Sequence, residues 1–138
     1  MATACALVLP VEGAACLDSY SKARQEFNDL MGWLQSSAAM SLPFHEVECG
    51  VGERSREVLR LLLQGNLDAR GRGDVGPAVE VRDGNRVVVL SHKDPDRNRV
   101  VRTVFGKVEV PRTAYGRPGE RSVCPIDDQV QLPDRSFS

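Results

Sequence analysis

Two periods divide the chain. Apolar positions recur every three or four residues from about residue 21 to residue 70, and alternate one by one from residue 79 to residue 110. In "SKARQEFNDLMGWLQSS", Ala23, Phe27, Leu30, Met31 and Leu34 share one side of a helix, while Lys22, Arg24, Glu26 and Asp29 fall largely elsewhere. Asp18, Ser19 and Ser21 offer cap oxygens for its first amides. Trp33 borders the stripe and is expected to close one edge of the core. The next run, "SLPFHEVECGVGERSREVLRLLLQGNLDARG", predicts a second helix with Ser41 and Pro43 at its start and Gly71 at its end. Phe44, Val47 and Val51 make a narrow stripe. Val58, Leu59, Leu61, Leu62 and Leu63 make a broader one, wide enough for burial from several sides. Gly50 and Gly52 each weaken the helix by about 1 kcal/mol relative to Ala, so a kink or break is expected there.

"GRGDVGP" reads as a glycine-rich linker into the alternating region. "AVEVR" and "RVVVLS" flank Asp83-Gly84-Asn85, and a two-residue Gly84-Asn85 loop pairs Val81 with Val88 and Val79 with Leu90. "RTVFGKVEVPRTAYG" predicts a second hairpin. A Phe105-Gly106 corner would set Thr103 against Val108, Val101 against Val110 and Arg102 against Glu109, giving one dry face and one charged face. The tail offers a Pro-Gly turn, an extended piece through Cys124 and a helical turn from Ile126 to Leu132. The expectation is an α+β domain, with N-terminal helices packed on a small antiparallel sheet of two β-hairpins. It divides into a flexible arm (1–17), a helical region (18–71) and a hairpin region (72–138) that forms one compact domain with the helices.

Length changes this little: 138 residues can bury a core as one domain. The N-terminal "MATACALVLPVEG" lacks a basic start and is too short to span a bilayer, so a cytoplasmic chain with no membrane contact is expected. In that setting Cys5, Cys16, Cys49 and Cys124 are expected as reduced, buried thiols.

Charge changes more. The net value is −1, but residues 1–53 hold seven acids against two bases. Residues 97–121 hold Arg97, Arg99, Arg102, Lys107, Arg112, Arg117 and Arg121 against only Glu109 and Glu120. Such asymmetry points to a polyanion, and double-stranded DNA is the expected partner of these seven cations. An acidic helical half could instead meet a protein partner or a second copy in a homodimer.

Catalytic constellations are not found in the sequence. His45 and Cys49 share a helical spacing, but no second pair completes a metal or nucleophile site. Asp127-Asp128 reads as acid at a helix start. "GRGDVG" lacks the Lys-Ser/Thr of a phosphate loop. Neither a cofactor nor enzymatic activity is expected.

"REVLRLLLQGNLDARG", followed by "RTVFGKVEVPRTAYGRPGERSVCPIDDQVQLPDRSFS", resembles the N-terminal, pre-catalytic region of bacterial insertion-sequence transposases of the Kra type. Leu63, Gln64, Leu67 and Asp68 match the family's leucine-helix phrase. Thr103, Phe105, Gly106, Val108, Val110 and Tyr115 match its hairpin, with Arg112 one place off the usual basic pair. Pro125, Ile126 and Asp127, then Leu132 and Pro133, match its last phrase. The resemblance covers residues 53–138 in order. Such transposases continue into a ribonuclease-H-like catalytic domain, and this chain ends before one would begin. The resemblance therefore implies a non-catalytic module that recognises element ends or self-associates, with no metal role for Asp127. The alternative is a small interaction or inhibitor protein of domesticated or phage type, acting through the acidic half with no DNA role.

Overall fold

The computed structural model describes residues 18–132. The N-terminal arm, the tail beyond Leu132 and the cysteines Cys5 and Cys16 lie outside them. Three helices come first: α1 (Ser21–Gln35), the short α2 (Ser37–Met40) and α3 (Phe44–Arg70). Six strands follow: β1 (Val79–Asp83), β2 (Arg86–Leu90), β3 (His92–Asp94), β4 (Arg99–Thr103), β5 (Gly106–Val110) and β6 (Ala114–Gly116). A last helix, α4 (Pro125–Val130), closes the described chain. The fold is α+β, as expected. The strands, however, form three separate two-stranded antiparallel ladders, β1–β2, β3–β6 and β4–β5, instead of one sheet of two hairpins.

Asp18 holds the start of α1 from two residues before its cap position. Its Oδ1 accepts the Tyr20 N–H at 2.9 Å, and its Oδ2 meets Arg24. Ser36 ends α1 and begins α2: its backbone is extended, and its hydroxyl accepts the Ala39 N–H at 3.2 Å. α3 runs for 27 residues without the expected break. Its glycines serve approach rather than bending. A Cβ on Gly50 would lie 2.3 Å from the Trp33 ring, and one on Gly65 would lie 2.7 Å from both the Ser19 carbonyl and the Tyr20 ring. α1 therefore lies antiparallel against α3, its two ends seated on these two glycines. Arg54, one turn beyond Gly50, stacks over Trp33 at 4.4 Å from the ring centre, a cation–π contact.

The other flank of α3 meets β5. A two-stranded ladder leaves backbone groups unpaired on both edges, and α3 satisfies one of them with side chains. Gln64 accepts the Glu109 N–H at 2.8 Å and donates to the Glu109 carbonyl at 2.7 Å, as a neighbouring strand would. One turn earlier Arg60 donates to the Lys107 carbonyl at 3.2 Å, and one turn before that Arg56 donates to the Val104 carbonyl. With α1 and β5 on two sides, the leucine run keeps a third side open. Val58 and Leu61 are buried, whereas Leu59, Leu62 and Leu63 stay exposed, so burial from all sides does not occur.

Two further cores are small. Val101, Val108, Val110 and Ile126 cluster with Leu67, Val130 and Leu132. Val88, Leu90 and Tyr115 cluster with Val79, Val81 and Val123. The segment 71–77 joins the helical and hairpin regions and is no slack linker. The Arg72 carbonyl accepts the Thr113 N–H at 2.8 Å, and the Tyr115 hydroxyl accepts from Val75 N–H at 3.1 Å and donates to the Gly76 carbonyl at 2.7 Å.

The first hairpin takes the expected register, Val79 opposite Leu90 and Val81 opposite Val88. The second is shifted by two residues. Val101 faces Val108, Arg102 faces Lys107 and Thr103 faces Gly106, so the corner is Val104-Phe105. The Thr103 hydroxyl sets it, accepting the Phe105 N–H at 3.1 Å and donating to the Gly106 carbonyl at 2.7 Å. Gly106 then re-enters the strand at φ +124°, a conformation that disfavours a side chain. A two-residue shift preserves which side chains face inward, so the core is as expected while every cross-strand partner changes.

The two roles of glycine in α3 give opposite expectations. Gly65→Ala should lower stability in urea unfolding by roughly 1–3 kcal/mol, because the overlap with Ser19 and Tyr20 exceeds the gain in helix propensity. Gly52→Ala, where a Cβ meets nothing within 4 Å, should raise stability by up to about 1 kcal/mol. Equal signs for the two would sink this account of the helix pair.

Candidate nucleic-acid interface

The register of the second hairpin decides where its charges go. Inward positions hold Val101, Thr103, Val108 and Val110, with Arg99 at the rim of that same face. The outward face holds Val100, Arg102, Lys107 and Glu109. Arg102 and Lys107 are both exposed and stand directly opposite each other, instead of the expected Arg102–Glu109 pairing. Cross-strand neighbours of this kind have Cβ atoms about 5 Å apart, so the two cations share one patch of the outward face. Beyond them the corner projects Val104, which is 70% exposed.

α3 adds two cations to the same end of the hairpin. Arg56 reaches the corner at the Val104 carbonyl, and Arg60 lies along the β5 edge. Arg60 is also paired with Glu57 at 2.7 Å, which raises the guanidinium pKa and lowers that of the carboxyl, each chiefly through their shared hydrogen bond. Neither arginine stood out among the sequence candidates. The signal was present as the four-residue spacing of Arg56, Arg60, Gln64 and Asp68, a polar row inside a leucine-rich helix.

The other sequence candidates separate. Arg112 is drawn inward: its side chain is 17% exposed, donates to Asp127 Oδ2 at 2.8 Å and bonds the Arg97 carbonyl through Nε at 2.9 Å. It is a structural cation that ties α4 to the loop before β4, so phosphate contact is not its position. Asp127 is correspondingly an anchor for Arg112. Arg97 is exposed and paired with Asp94 at 3.2 Å. The Asp94 carboxyl is held below its ordinary value first by the Asp96 N–H and then by Arg97. Arg117 and Arg121 occupy the loop after β6, beside His92 and beside Val81 and Arg82 of the first hairpin. The seven cations therefore do not make one stripe. Within the β4–β5 ladder, Arg102 and Lys107 are the opposed pair.

Nothing else in the described residues competes as a site. A cleft of about 790 Å³ beside the start of α1 mixes Lys22 and Arg60 with Asp18, Asp68 and Glu109, so it favours neither sign of ligand. Among the described residues no group of three or more His, Cys, Asp or Glu side chains is placed to hold a metal. Cys49 and Cys124 are free thiols, Cys49 exposed and Cys124 half-buried where burial of both was expected, and burial pushes the Cys124 pKa up, away from nucleophilic use. No described helix is long and apolar enough to cross a membrane. Tyr115 is fully buried and cannot stack on a base.

Comparison with family models, with curated proteins and with solved structures returns no match.

Tyr115 also organises the charges around the 71–77 segment. Its hydroxyl lies 3.3 Å from Asp74 Oδ1, and Asp74 Oδ2 receives Lys93 at 2.8 Å. The Asp74 carboxyl sits below its ordinary value of 3.8, first because of Lys93 and then because of the Gly76 N–H. A lowered folded value means stabilisation that is full above the ordinary value and lost as pH falls through the lowered one. Lys93→Met should therefore flatten the acid limb of a stability profile taken from about pH 7 to about pH 2, the two proteins converging at the acid end. Parallel profiles would count against this linkage. Tyr115→Phe, which strips partners from the Val75 N–H and the Gly76 carbonyl, should cost about 1–3 kcal/mol in urea unfolding.

Proposed function

We propose that the chain is a non-catalytic module that binds duplex DNA through the outward face and corner of the β4–β5 hairpin. The single observation that carries this reading is the opposition of Arg102 and Lys107. Two exposed cations directly opposite each other on one hairpin face concentrate positive charge where a backbone phosphate could be gripped. Arg56, at the corner, extends the positive potential along the direction a backbone strand would run. A two-stranded ribbon has the width to enter a major groove, with Val104 leading. Contacts of this kind read phosphates, not sequence, and give salt-sensitive affinity.

The resemblance to the pre-catalytic region of Kra-type transposases supports the same reading. Its matching residues act on one another here: Gln64 clasps β5, Leu67 and Ile126 share a core, Thr103 and Gly106 form the corner, and Tyr115 pins the 71–77 segment.

The test is binding to a labelled duplex of roughly 30 base pairs titrated across salt. Each phosphate contact contributes about 0.9 to the log–log slope. The double change Arg102→Ala, Lys107→Ala should reduce the slope by about 1.8 and the low-salt affinity by about tenfold or more. Circular dichroism should be unchanged, since both side chains are exposed. Undiminished affinity and slope in the double variant would refute the assignment.

A further inference from the structure

We infer that the helical hairpin formed by α1 and α3 is half of a four-helix bundle, completed by a second copy of this chain. The inference stands apart from the DNA reading, since it concerns the opposite part of the molecule.

The pair has two long sides of different character. On one, Lys22, Gln25 and Glu26 of α1 meet Glu57 and Arg60 of α3 around a shared polar hollow. Helical spacing puts Asp29, Glu46 and Glu53 with that side as well. On the other side lie Phe27 and Met31 of α1 and Phe44, Val51 and Leu62 of α3. Phe27 and Phe44 are 49% and 82% exposed. The β4–β5 hairpin occupies a third flank of α3, through Arg56, Arg60 and Gln64, and Phe27, Met31, Phe44 and Leu62 stay exposed.

Two observations identify the occupant. First, the area fits. Taking about 200 Å² for a fully exposed phenylalanine and somewhat less for Met and Leu, Phe27, Phe44, Met31 and Leu62 present roughly 400 Å² of apolar surface. That is most of the apolar share, about 65%, of the about 800 Å² that each partner contributes to a stable homodimer. Second, charge permits self-pairing. Arg24 and Glu48 are the charged residues at its rims, so two copies joined face to face keep their acidic sides outward and apart. A pair of antiparallel helices that doubles across a twofold axis gives the ordinary four-helix bundle, and the contact is isologous. In one copy the helix pair buries only Ala23, Leu30, Val58 and Leu61 at its seam, a small core for a 27-residue helix.

Sedimentation velocity of the full chain across concentration tests this. The expected result is a monomer–dimer equilibrium, shifted at least tenfold toward monomer by Phe27→Glu with Leu62→Glu and unmoved by Glu53→Gln on the acidic side. Should the double variant fail to fold, hydrogen exchange of the unaltered chain decides: protection should rise with concentration in α1 and α3. A chain monomeric at every concentration overturns the inference, whatever else covers the apolar side, its own residues 1–17 included. So does a dimer that survives the double variant in folded form, or protection that rises only in the hairpins. Duplex binding by a strict monomer would leave the DNA reading standing while this one fell.

Discussion

A β-hairpin standing alone leaves two edges of unpaired peptide groups, and this molecule is organised around satisfying one of them. Gln64 bonds both backbone groups of Glu109, with Arg60 and Arg56 continuing one and two turns away. Side chains that lie at four-residue spacing on a helix thus meet carbonyls that lie along a strand. That match sets the angle between α3 and the hairpin. It also determines which flank of α3 remains for α1, which remains open, and which hairpin face looks outward with Arg102 and Lys107. Loss of the clasp would expose a strand edge and detach the charged face from the helical half.

The second dependency is Tyr115. It pairs with Lys93 across the β3–β6 ladder, bridges to Val123, contributes its ring to the core with Val88 and Leu90, and fastens residues 75 and 76 with its hydroxyl. Separate small cores, none large enough to be convincing alone, are joined through this residue and through Arg112–Asp127. In a chain with few aromatic residues, one tyrosine with a satisfied hydroxyl does the joining that a larger apolar core would do elsewhere.

Much of the architecture was legible in the residues, for identifiable reasons. The first hairpin had a two-residue loop with one plausible geometry, so its register followed directly. The second was expected to turn at Phe105-Gly106 and turns one residue earlier, at Val104-Phe105. Alternation cannot separate registers two residues apart, and the deciding bond from Thr103 is invisible to a pattern of polarity. The helices were readable from period, but Gly50 and Gly65 were not, because propensity registers a glycine as weakness and says nothing of a ring or carbonyl pressed against it. The β3–β6 ladder is three residues long on each side and His-Lys-Asp carries no strand signature. Of the candidate cations, exposure and pairing separated what composition had pooled: Arg112 turned inward, Arg97 paired with Asp94, and the Arg102–Lys107 opposition emerged only with the true register.

The unbroken length of α3 carries a mechanical meaning. At 1.5 Å per residue its 27 residues form a strut of about 40 Å, engaged by α1 along Gly50 to Gly65 and by the hairpin from Arg56 to Leu67. The two engagements overlap along the same turns with no hinge between them. A torque applied to the helical end is therefore transmitted to the hairpin corner as a rotation of one stiff body, with Val104 at the end of the arm.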